Sequence, residues 1–289
     1  MTTDLPDFDA RWDYADPAAT DATFRELLDA HPDAETDWQL ELRTQIARTL
    51  GLQRAFDDAH AELDAVEAEL GDSARPRIRY LLERGRVFNS AGDPEASRSH
   101  FEEAWQLACD ADEDRLAVDA AHMVGIVAPP DEGLDWNLRA LEVAESSDQD
   151  GARKWKGSLY NNIGWTYHDL GRYEDALEMF VRGVAFREEA GKPGPLRIAR
   201  WTVARALRSL ERPDEALEKL RAIRRDFPDA DDPYVSEELG ECLLALGRPD
   251  EARPHFAAAW QALKDDPWLE ENEAARLERL EELAAEDTG

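Results

Sequence analysis

The amino-acid sequence predicts an all-α protein, a solenoid of about six helical hairpins with a capping helix at each end. Two observations support this fold class. A short turn motif recurs along the chain at intervals of about 40 residues. Between its copies, apolar residues recur at the spacing of a helix that buries one face, as at Tyr160, Ile163, Tyr167 and Leu170. Neither helix of a hairpin can bury that face alone, so successive hairpins must stack.

The turn motif is clearest in the sequence GRYEDAL, which begins at Gly171. In each copy the turn is followed by an acidic residue, which suits the first turn of a helix because the unpaired N–H groups there favour negative charge. A small residue comes next and lets the second helix of the hairpin approach the first. Variants of the motif begin at Arg54, Gly92, Ala128, Glu211 and Gly247, and the small residues are Ala59, Ser97, Gly133, Ala176, Ala216 and Ala252.

Each hairpin also has a small residue in its first helix, and most have a large apolar residue in their second. The third hairpin departs from this pattern, because Asn137 stands at the large apolar position and Ala128–Pro130 replaces the glycine turn. We therefore expect its second helix to be shifted or loosely packed. The first-helix small residues are Ala47, Gly85, Ala121, Gly164, Ala204 and Gly240, and the large residues of the other hairpins are Leu63, Phe101, Phe180, Leu220 and Phe256.

The segments outside the hairpins complete the predicted layout. The acidic start of the chain is expected to be disordered, with Trp12 and Tyr14 able to pack on the first hairpin. The last segment predicts one helix with a leucine stripe and an acidic outer face, which the end of a solenoid needs for solubility. The predicted divisions are a disordered segment at 1–19, an N-terminal helix and four hairpins at 20–189, a flexible loop at 190–195, two hairpins at 196–266, and a capping helix and tail at 267–289.

The repeated residues resemble those of the tetratricopeptide repeat (TPR) family. The match is strongest over Ser158–Glu189, and it is good over 196–228 and 234–264. The resemblance implies a right-handed α-solenoid in which the first helix of each hairpin lines a concave inner wall. It also implies a scaffold that binds protein or peptide segments.

The composition argues against several classes of partner and location. The chain has 65 Asp and Glu against 34 Lys and Arg, a formal net charge of −31. Such a surface repels nucleic acid and anionic lipid, so neither is an expected partner. The first residues lack the basic start and apolar stretch of a signal peptide, and no apolar run is long enough to span a membrane. We therefore expect a cytoplasmic protein. Its acid-rich, lysine-poor and alanine-rich composition fits a GC-rich genome and either a salt-loving bacterium or simply a soluble acidic protein.

The sequence contains no recognised catalytic or metal-binding motif. The nucleophile-elbow, zinc-protease and phosphate-loop signatures are all missing. The histidines are spread over different hairpins without metal-ligand spacing, and Cys109 and Cys242 fit no disulfide or metal pattern. The sequence thus predicts a protein that is not an enzyme and holds no metal or cofactor.

By the TPR resemblance, the residue after the small residue of each first helix faces the concave wall, as do the residues one turn before and after it. This wall is rich in arginine and aromatic side chains. The planar fork of arginine suits an acidic segment or a chain-terminal carboxylate. Three aromatic residues lie on one diagonal of the wall and suit a peptide anchor. The candidate peptide-binding residues are Arg86, His122, Asn161, Asn162, Trp165, His168, Trp201, Arg205, Arg208 and Tyr234.

Structural alternatives to these assignments stay open. The arginines would be ordinary surface residues if they pair with carboxylates such as Glu83 and Glu211. A change of register by one residue would place Trp201 in the core. No three consecutive hairpins supply the lysine and asparagine clamp with which some TPR domains bind the C-terminal carboxylate of chaperones, so that type of cofactor is not expected.

The leading functional prediction is a cytoplasmic adaptor that binds a protein or peptide segment in its concave groove. One alternative is a receptor for a short signalling peptide that regulates a partner protein, with the loop at 190–195 as a hinge. The other is a scaffold that assembles with copies of itself. The sequence does not decide the oligomeric state.

Overall fold

The computed structural model describes residues 5–285, and its regular structure over those residues is helical, without a β-strand. A 3-10 turn, Asp9–Arg11, precedes the first α-helix. None of the described helices is long and apolar enough to cross a lipid bilayer. The α-helices are α1 (Pro17–Ala30), α2 (Thr36–Leu52), α3 (Phe56–Glu69), α4 (Ala74–Ala91), α5 (Pro94–Asp110), α6 (Asp114–Val127), α7 (Pro130–Ser146), α8 (Asp150–Arg153), α9 (Lys156–Asp169), α10 (Tyr173–Ala190), α11 (Pro193–Ser209), α12 (Pro213–Asp226), α13 (Pro233–Ala245), α14 (Pro249–Leu263), α15 (Pro267–Asn272) and α16 (Ala274–Ala284).

These helices form the predicted hairpins, and the all-α repeat fold is confirmed. The contacts divide the chain into a first unit, Met1–Lys156, and a second unit, Gly157–Gly289. The first unit contains the hairpins α2–α3, α4–α5 and α6–α7, with α1 packed against α2. The second unit contains α9–α10, α11–α12 and α13–α14, with α16 packed against α14. This division differs from the predicted joint at 190–195.

The hairpin turns in the described chain share one backbone conformation, with the third hairpin as the exception. The residue that begins the turn motif has a positive φ, for example 73° at Gly171 and 58° at Glu211. Glycine adopts this left-handed conformation without strain, whereas other residues hold it at a cost of about 1 kcal/mol. In the third hairpin Ala128 precedes a proline and is extended instead, with φ −79° and ψ 159°.

The third hairpin is nevertheless closely packed, and the expectation of a loose second helix is wrong. A Cβ atom on Gly133 would lie 2.6 Å from the carbonyl oxygen of Gly125, so α6 and α7 touch through their backbones. Asn137 is buried, and its Nδ2 donates to the Gly133 carbonyl at 2.9 Å. The Nδ1 atom of His122 lies 3.0 Å from Oδ1 of the same asparagine. Asparagine is tolerated at this core position because both ends of its amide group have partners.

The small and large residues of each hairpin are matched in size. Where the first helix has glycine, the second has phenylalanine with its ring against that glycine, and a Cβ atom on Gly164 would lie 2.4 Å from the Phe180 ring. Where the first helix has alanine, the equivalent second-helix residue is leucine or asparagine. The other pairs are Gly85 with Phe101, Gly240 with Phe256, Ala47 with Leu63, Ala204 with Leu220, and Ala121 with Asn137.

The start of the chain differs from the disorder predicted for residues 1–19. Residues 5–19 are folded onto the first unit, and residues 1–4 lie outside the described range. Phe8 is only 6% exposed and belongs to an apolar cluster with Phe24. The Trp12 ring packs edge-on against Phe24, with ring centroids 5.3 Å apart, and Tyr14 stacks on Trp12 at 4.7 Å. Packing of Phe8 and Trp12 against Phe24 holds the acidic segment in place.

Two further predicted boundaries also differ from the structure. Helix α10 runs to Ala190 and α11 begins at Pro193, so the predicted loop shrinks to Gly191 and Lys192. Proline is favoured at the first position of a helix, where its missing N–H group has no partner to lose. Gly191 ends α10 with a φ of 67°, a typical C-terminal cap. The last segment forms two helices, α15 and α16, which are separated at Glu273.

Candidate functional site

The second unit contains a groove of about 450 Å³ between α11, α13 and α16. The groove runs along the first helices of the last two hairpins, where the sequence predicts a binding wall. Asp232 caps α13, and its Oδ1 accepts a hydrogen bond from the Tyr234 N–H at 2.9 Å, which fixes Tyr234 in the first turn. Helix α11 contributes Trp201, Arg205 and Arg208, α13 contributes Tyr234 and three glutamates, and α16 contributes Arg276 and Arg279.

An aromatic ladder, which we define as Trp165, Trp201 and Tyr234, leads along this wall. The ring centroids of Trp165 and Trp201 are 5.9 Å apart, and those of Trp201 and Tyr234 are 6.4 Å apart. The Trp201 indole N–H donates to the Tyr234 carbonyl at 3.1 Å. Trp165 also contacts Phe180 in the hairpin core, whereas Tyr234 is 39% exposed. The predicted diagonal is thus formed, with its inner end anchored in the core and its outer end open.

The groove carries both signs of charge, in contrast to the cationic wall expected from the sequence. Arg208 donates two hydrogen bonds to the Glu238 carboxylate, which is 5% exposed, one of them 3.1 Å long. Arg276 donates to Glu237 at 2.9 and 2.5 Å. Arg279 pairs in the same way with Glu241. Three of the groove arginines are therefore neutralised inside the second unit, as the ion-pair alternative anticipates.

Arg205 is the exception among the groove arginines. Its Nη1 donates to the Ser209 hydroxyl at 2.5 Å, and its Nε lies 3.8 Å from Glu238, a carboxylate already held by Arg208. Burial and the neighbouring Arg208 lower the pKa of Arg205. In the described groove this guanidinium has no carboxylate of its own, so its positive charge is incompletely compensated.

The other α9 candidates lie near the groove without lining it. His168 contacts Trp165 with ring centroids 5.2 Å apart, and its Nε2 is 2.9 Å from the Ser209 hydroxyl. Burial and Arg205 lower the pKa of His168, so its ring is neutral at pH 7. Asn161 and Asn162 are half-buried, and the Asn161 amide donates to the Asn162 amide oxygen at 3.3 Å.

Two predicted site residues lie in the first unit, and their contacts are structural. Arg86 donates to Glu83 at 2.7 Å and to Asp119 at 2.5 Å. Burial alone would lower the pKa of Arg86, but the two carboxylates outweigh it and raise the pKa. His122 is occupied by its contact with Asn137 in the third hairpin. Neither side chain belongs to the groove of the second unit.

Sequence reasoning missed the contribution of the last helix. Arg276 and Arg279 reach into the groove from α16, a segment expected only to cap the solenoid. The signal available in the sequence was two arginines, one turn apart, in an otherwise acidic helix and next to Leu277 and Leu280. Leu280 is fully buried, and this burial turns the neighbouring arginines toward α13.

The described residues contain no cluster of histidine, cysteine and carboxylate groups that could hold a metal ion. Cys242 lies behind the groove on α13 and is buried. Burial, together with the negative charge of Glu238, raises the pKa of its thiol to about 12. This thiol is therefore protonated at pH 7 and is a poor nucleophile.

The comparisons with known proteins agree with the repeat assignment. Two family models, each described as tetratricopeptide repeat, match residues 157–190 and 203–267. The first range covers the α9–α10 hairpin, and the second runs from the last part of α11 through α14. No curated protein sequence matches the chain.

Several solved structures share the fold at low sequence identity. The apo form of RapI has a TM-score of 0.77 and 13% identity, covering 94% of this chain and 78% of that one. The apo form of the quorum sensor NprR from B. thuringiensis has a TM-score of 0.63 and 17% identity, and the match covers 93% of this chain and 77% of NprR. A signal transduction ATPase with a TPR sensor from Pyrococcus horikoshii has a TM-score of 0.71 and 15% identity, and 94% of this chain matches 44% of that one. The family models identify tetratricopeptide repeats within the second unit, and the solved structures share the helical-repeat fold of the chain.

Proposed function

We propose that this TPR protein is a non-enzymatic scaffold whose second unit binds an extended protein or peptide segment with acidic and aromatic residues. The observation that carries the proposal is the position of Arg205 in the same groove as Trp201 and Tyr234 of the aromatic ladder. A cationic group that lacks its own carboxylate and a row of aromatic faces lie on one wall of one groove.

The acidic preference follows from the electrostatics of Arg205. A guanidinium that is partly removed from water costs free energy unless a carboxylate compensates it. Glu238 compensates Arg208 instead, so a ligand carboxylate would complete the charge balance of the groove. The planar guanidinium can hold both oxygens of that carboxylate through paired hydrogen bonds.

The aromatic preference follows from Trp201 and Tyr234. Tryptophan, tyrosine and arginine dominate the energetically important positions of protein interfaces. The Arg276 guanidinium lies over the Tyr234 ring, 5.4 Å from its centroid, and the Tyr234 side chain is still partly exposed to a ligand. The groove volume of about 450 Å³ suits a small number of ligand side chains rather than a whole domain.

The acidic surface supports the rest of the proposal. A formal net charge of −31 disfavours nucleic acid and anionic membranes as partners. We propose a cytoplasmic, bacterial adaptor on the same compositional grounds. A carboxylate ligand must approach against this overall charge, so the groove has to offer a strong local contact.

A second candidate function is a receptor in which ligand binding changes the shape of the protein. The fold likeness to the quorum sensor NprR and to the TPR sensor of the ATPase motivates this candidate, although likeness at 17% and 15% identity concerns the fold alone. Small-angle scattering of the full chain with and without a bound peptide separates the two functions. A changed scattering curve supports the receptor, and an unchanged curve supports a rigid adaptor.

The proposed site is tested by selection of short random peptides from a display library against the full chain. We expect the enriched peptides to carry an acidic residue near an aromatic one. The double variant Trp201→Ala/Arg205→Gln should bind them at least about tenfold more weakly, which corresponds to about 1.4 kcal/mol.

The matched control is Trp268→Ala/Arg248→Gln, which also removes one tryptophan and one arginine. Trp268 is 60% exposed, and Arg248 pairs with Glu251 on the surface, so both lie outside the groove. This control should bind the selected peptides like the wild type. Equal binding by all three proteins, or no enrichment of any peptide, would contradict the proposed function.

A further inference from the structure

Residues 7–14 of the first unit lie on the inner wall formed by the first helices of its three hairpins. Asp9 contacts Arg79 of α4 and Arg115 of α6, and Trp12 contacts Gln45 of α2. Apart from the 3-10 turn Asp9–Arg11, this segment has no regular structure. It therefore occupies its wall mainly through side chains, as a bound peptide would.

The centre of this contact is a clamp on the Asp9 carboxylate. Arg79 donates to both oxygens of Asp9 at 3.2 and 2.5 Å, and Arg115 donates a third hydrogen bond at 2.7 Å. The Arg79 side chain is 5% exposed and also lies 2.7 Å from Glu41. Burial raises the pKa of Asp9, but Arg79 and Arg115 outweigh that effect and lower it to about 2. The carboxylate is thus bound as a charged group by two arginines from different helices.

Aromatic side chains on either side of Asp9 fill two neighbouring positions. Phe8 packs against Trp38, with ring centroids 5.9 Å apart, and the Arg79 guanidinium lies 5.2 Å from its centroid. The Trp12 indole N–H donates to the Gln45 amide oxygen at 3.1 Å. The Arg48 guanidinium lies 5.5 Å from the centroid of Trp12. Each aromatic ring is held by a cation and by an aromatic or polar side chain of the wall.

The charges of the segment and the wall are complementary. The segment DFDARWDYAD, residues 7–16, has four aspartates and one arginine. The wall presents Arg48, Arg79 and Arg115 to it. Arg79 also pairs with Glu41 and Arg48 with Glu83 on the same wall. In a chain with a net charge of −31, three arginines beside one acidic segment give that segment favourable charge contacts.

We propose that this wall is a second peptide-binding site, specific for a segment that carries Phe-Asp followed by tryptophan, and that residues 7–14 are its internal ligand. A segment of the same chemistry from a partner protein displaces residues 7–14 and takes over the arginine clamp. The site is separate from the groove of the second unit and does not depend on the function proposed for it.

The test uses a fluorescent synthetic peptide with the sequence of residues 5–16 and the full-length chain. The variant Asp9→Ala/Trp12→Ala weakens the internal ligand and leaves the wall intact. We expect this variant to bind the peptide at least about tenfold more tightly than the wild type, because the competing internal segment is removed. A control peptide with alanine in place of the same aspartate and tryptophan should not bind.

A substitution in the wall tests whether the peptide carboxylate binds to the same arginines as Asp9. Arg115→Gln, added to the double variant, should weaken binding of the peptide several-fold, since it removes one hydrogen bond to the carboxylate. The substitutions Trp201→Ala and Arg205→Gln, which alter the groove of the second unit, should leave peptide binding by the double variant unchanged. A folded double variant that binds neither peptide, or binds both equally, overturns the proposal.

A measurement on the wild type covers the case in which the double variant does not fold. Millimolar peptide should accelerate amide hydrogen exchange in residues 5–16, because the displaced segment becomes exposed, while exchange in α4 stays slow. Unchanged exchange in residues 5–16 would show that the segment is a fixed part of the first unit and would overturn the proposal.

Discussion

At the scale of single residues, two arginines one turn apart on α11 have different partners. Arg208 is hydrogen-bonded to the buried Glu238. Arg205 is hydrogen-bonded to the Ser209 hydroxyl instead, and its Nε lies farther from the Glu238 carboxylate, at 3.8 Å. The sequence places both arginines on the wall through the helical period. It does not reveal which of them is neutralised, because the partner carboxylate comes from the next first helix along the solenoid.

This difference predicts opposite effects on stability. Arg208→Met leaves the buried Glu238 carboxylate without its main partner and should lower the free energy of unfolding by about 2 kcal/mol. Arg205→Met removes an incompletely compensated charge and should change it by less than about 0.5 kcal/mol. Urea denaturation of both variants provides the measurement. Similar losses of stability in the two variants would contradict the assignment of Glu238 to Arg208.

The size matching of the hairpins gives a second prediction at this scale. Gly164→Ala places a methyl group against the Phe180 ring and should destabilise the protein by about 1 to 3 kcal/mol. Phe180→Leu in the same chain should recover much of that loss, because alanine faces leucine in two other hairpins. A double-mutant cycle by urea denaturation measures the coupling between the two positions.

Gly183→Ala is the matched control for this cycle. A Cβ atom there would lie 3.4 Å from its nearest neighbour, Cβ of Tyr160, which is an ordinary contact. Since alanine is favoured over glycine in a helix by up to about 1 kcal/mol, this variant should be at least as stable as the wild type. Additive effects of the Gly164 and Phe180 substitutions would contradict the size matching.

At the scale of elements, the helices are predictable from the sequence and several of their boundaries are not. Prolines near 193 resemble a loop in the sequence, yet Pro193 begins α11, because the first turn of a helix tolerates proline. The acidic start resembles a disordered segment, yet it is ordered by arginines that lie far away in the sequence. Local composition carries no information about such distant partners.

The Asp9 clamp predicts how stability changes with pH. The pKa of Asp9 is about 2 in the folded chain and 3.8 for an ordinary aspartate, so the folded state favours the charged form. The Asp9 carboxylate therefore contributes about 2 kcal/mol to the free energy of unfolding above pH 4, and this contribution is lost as the pH falls from about 4 to about 2.

Asp9→Asn tests this assignment because it removes the charge and keeps the shape of the side chain. The variant should be less stable than the wild type at pH 7, and the difference should shrink as the pH approaches 2. Thermal unfolding of both proteins at a series of pH values measures it. A difference that stays constant from pH 7 to pH 2 would show that the Asp9 charge contributes nothing.

At the scale of the whole molecule, the net charge and the proposed groove act in opposite directions. The charge of −31 repels an acidic ligand at long range, whereas in the proposed function Arg205 attracts it at contact distance. Composition alone predicts the first effect. The second depends on how the last two hairpins and α16 pair their charges, which the sequence does not determine.

This opposition predicts an unusual dependence on salt. Raising the ionic strength from 0.1 to 1 M shortens the Debye length from about 10 to about 3 Å and screens the long-range repulsion. The association rate of a selected acidic peptide should therefore rise with salt, while its dissociation rate also rises because the contact with Arg205 weakens. Stopped-flow fluorescence measures both rates. An association rate that falls with salt would show that local attraction, and not the net charge, governs the encounter.

The central claim is that ligands bind in the groove of the second unit, and amide hydrogen exchange of the full chain with a selected peptide tests it most directly. The account expects slower exchange on binding in α11 and at the start of α13, around Trp201, Arg205 and Tyr234, and no such change in the variant Trp201→Ala/Arg205→Gln. Protection confined to the second helices α12 and α14 or to the first unit, with the groove unchanged, would contradict it.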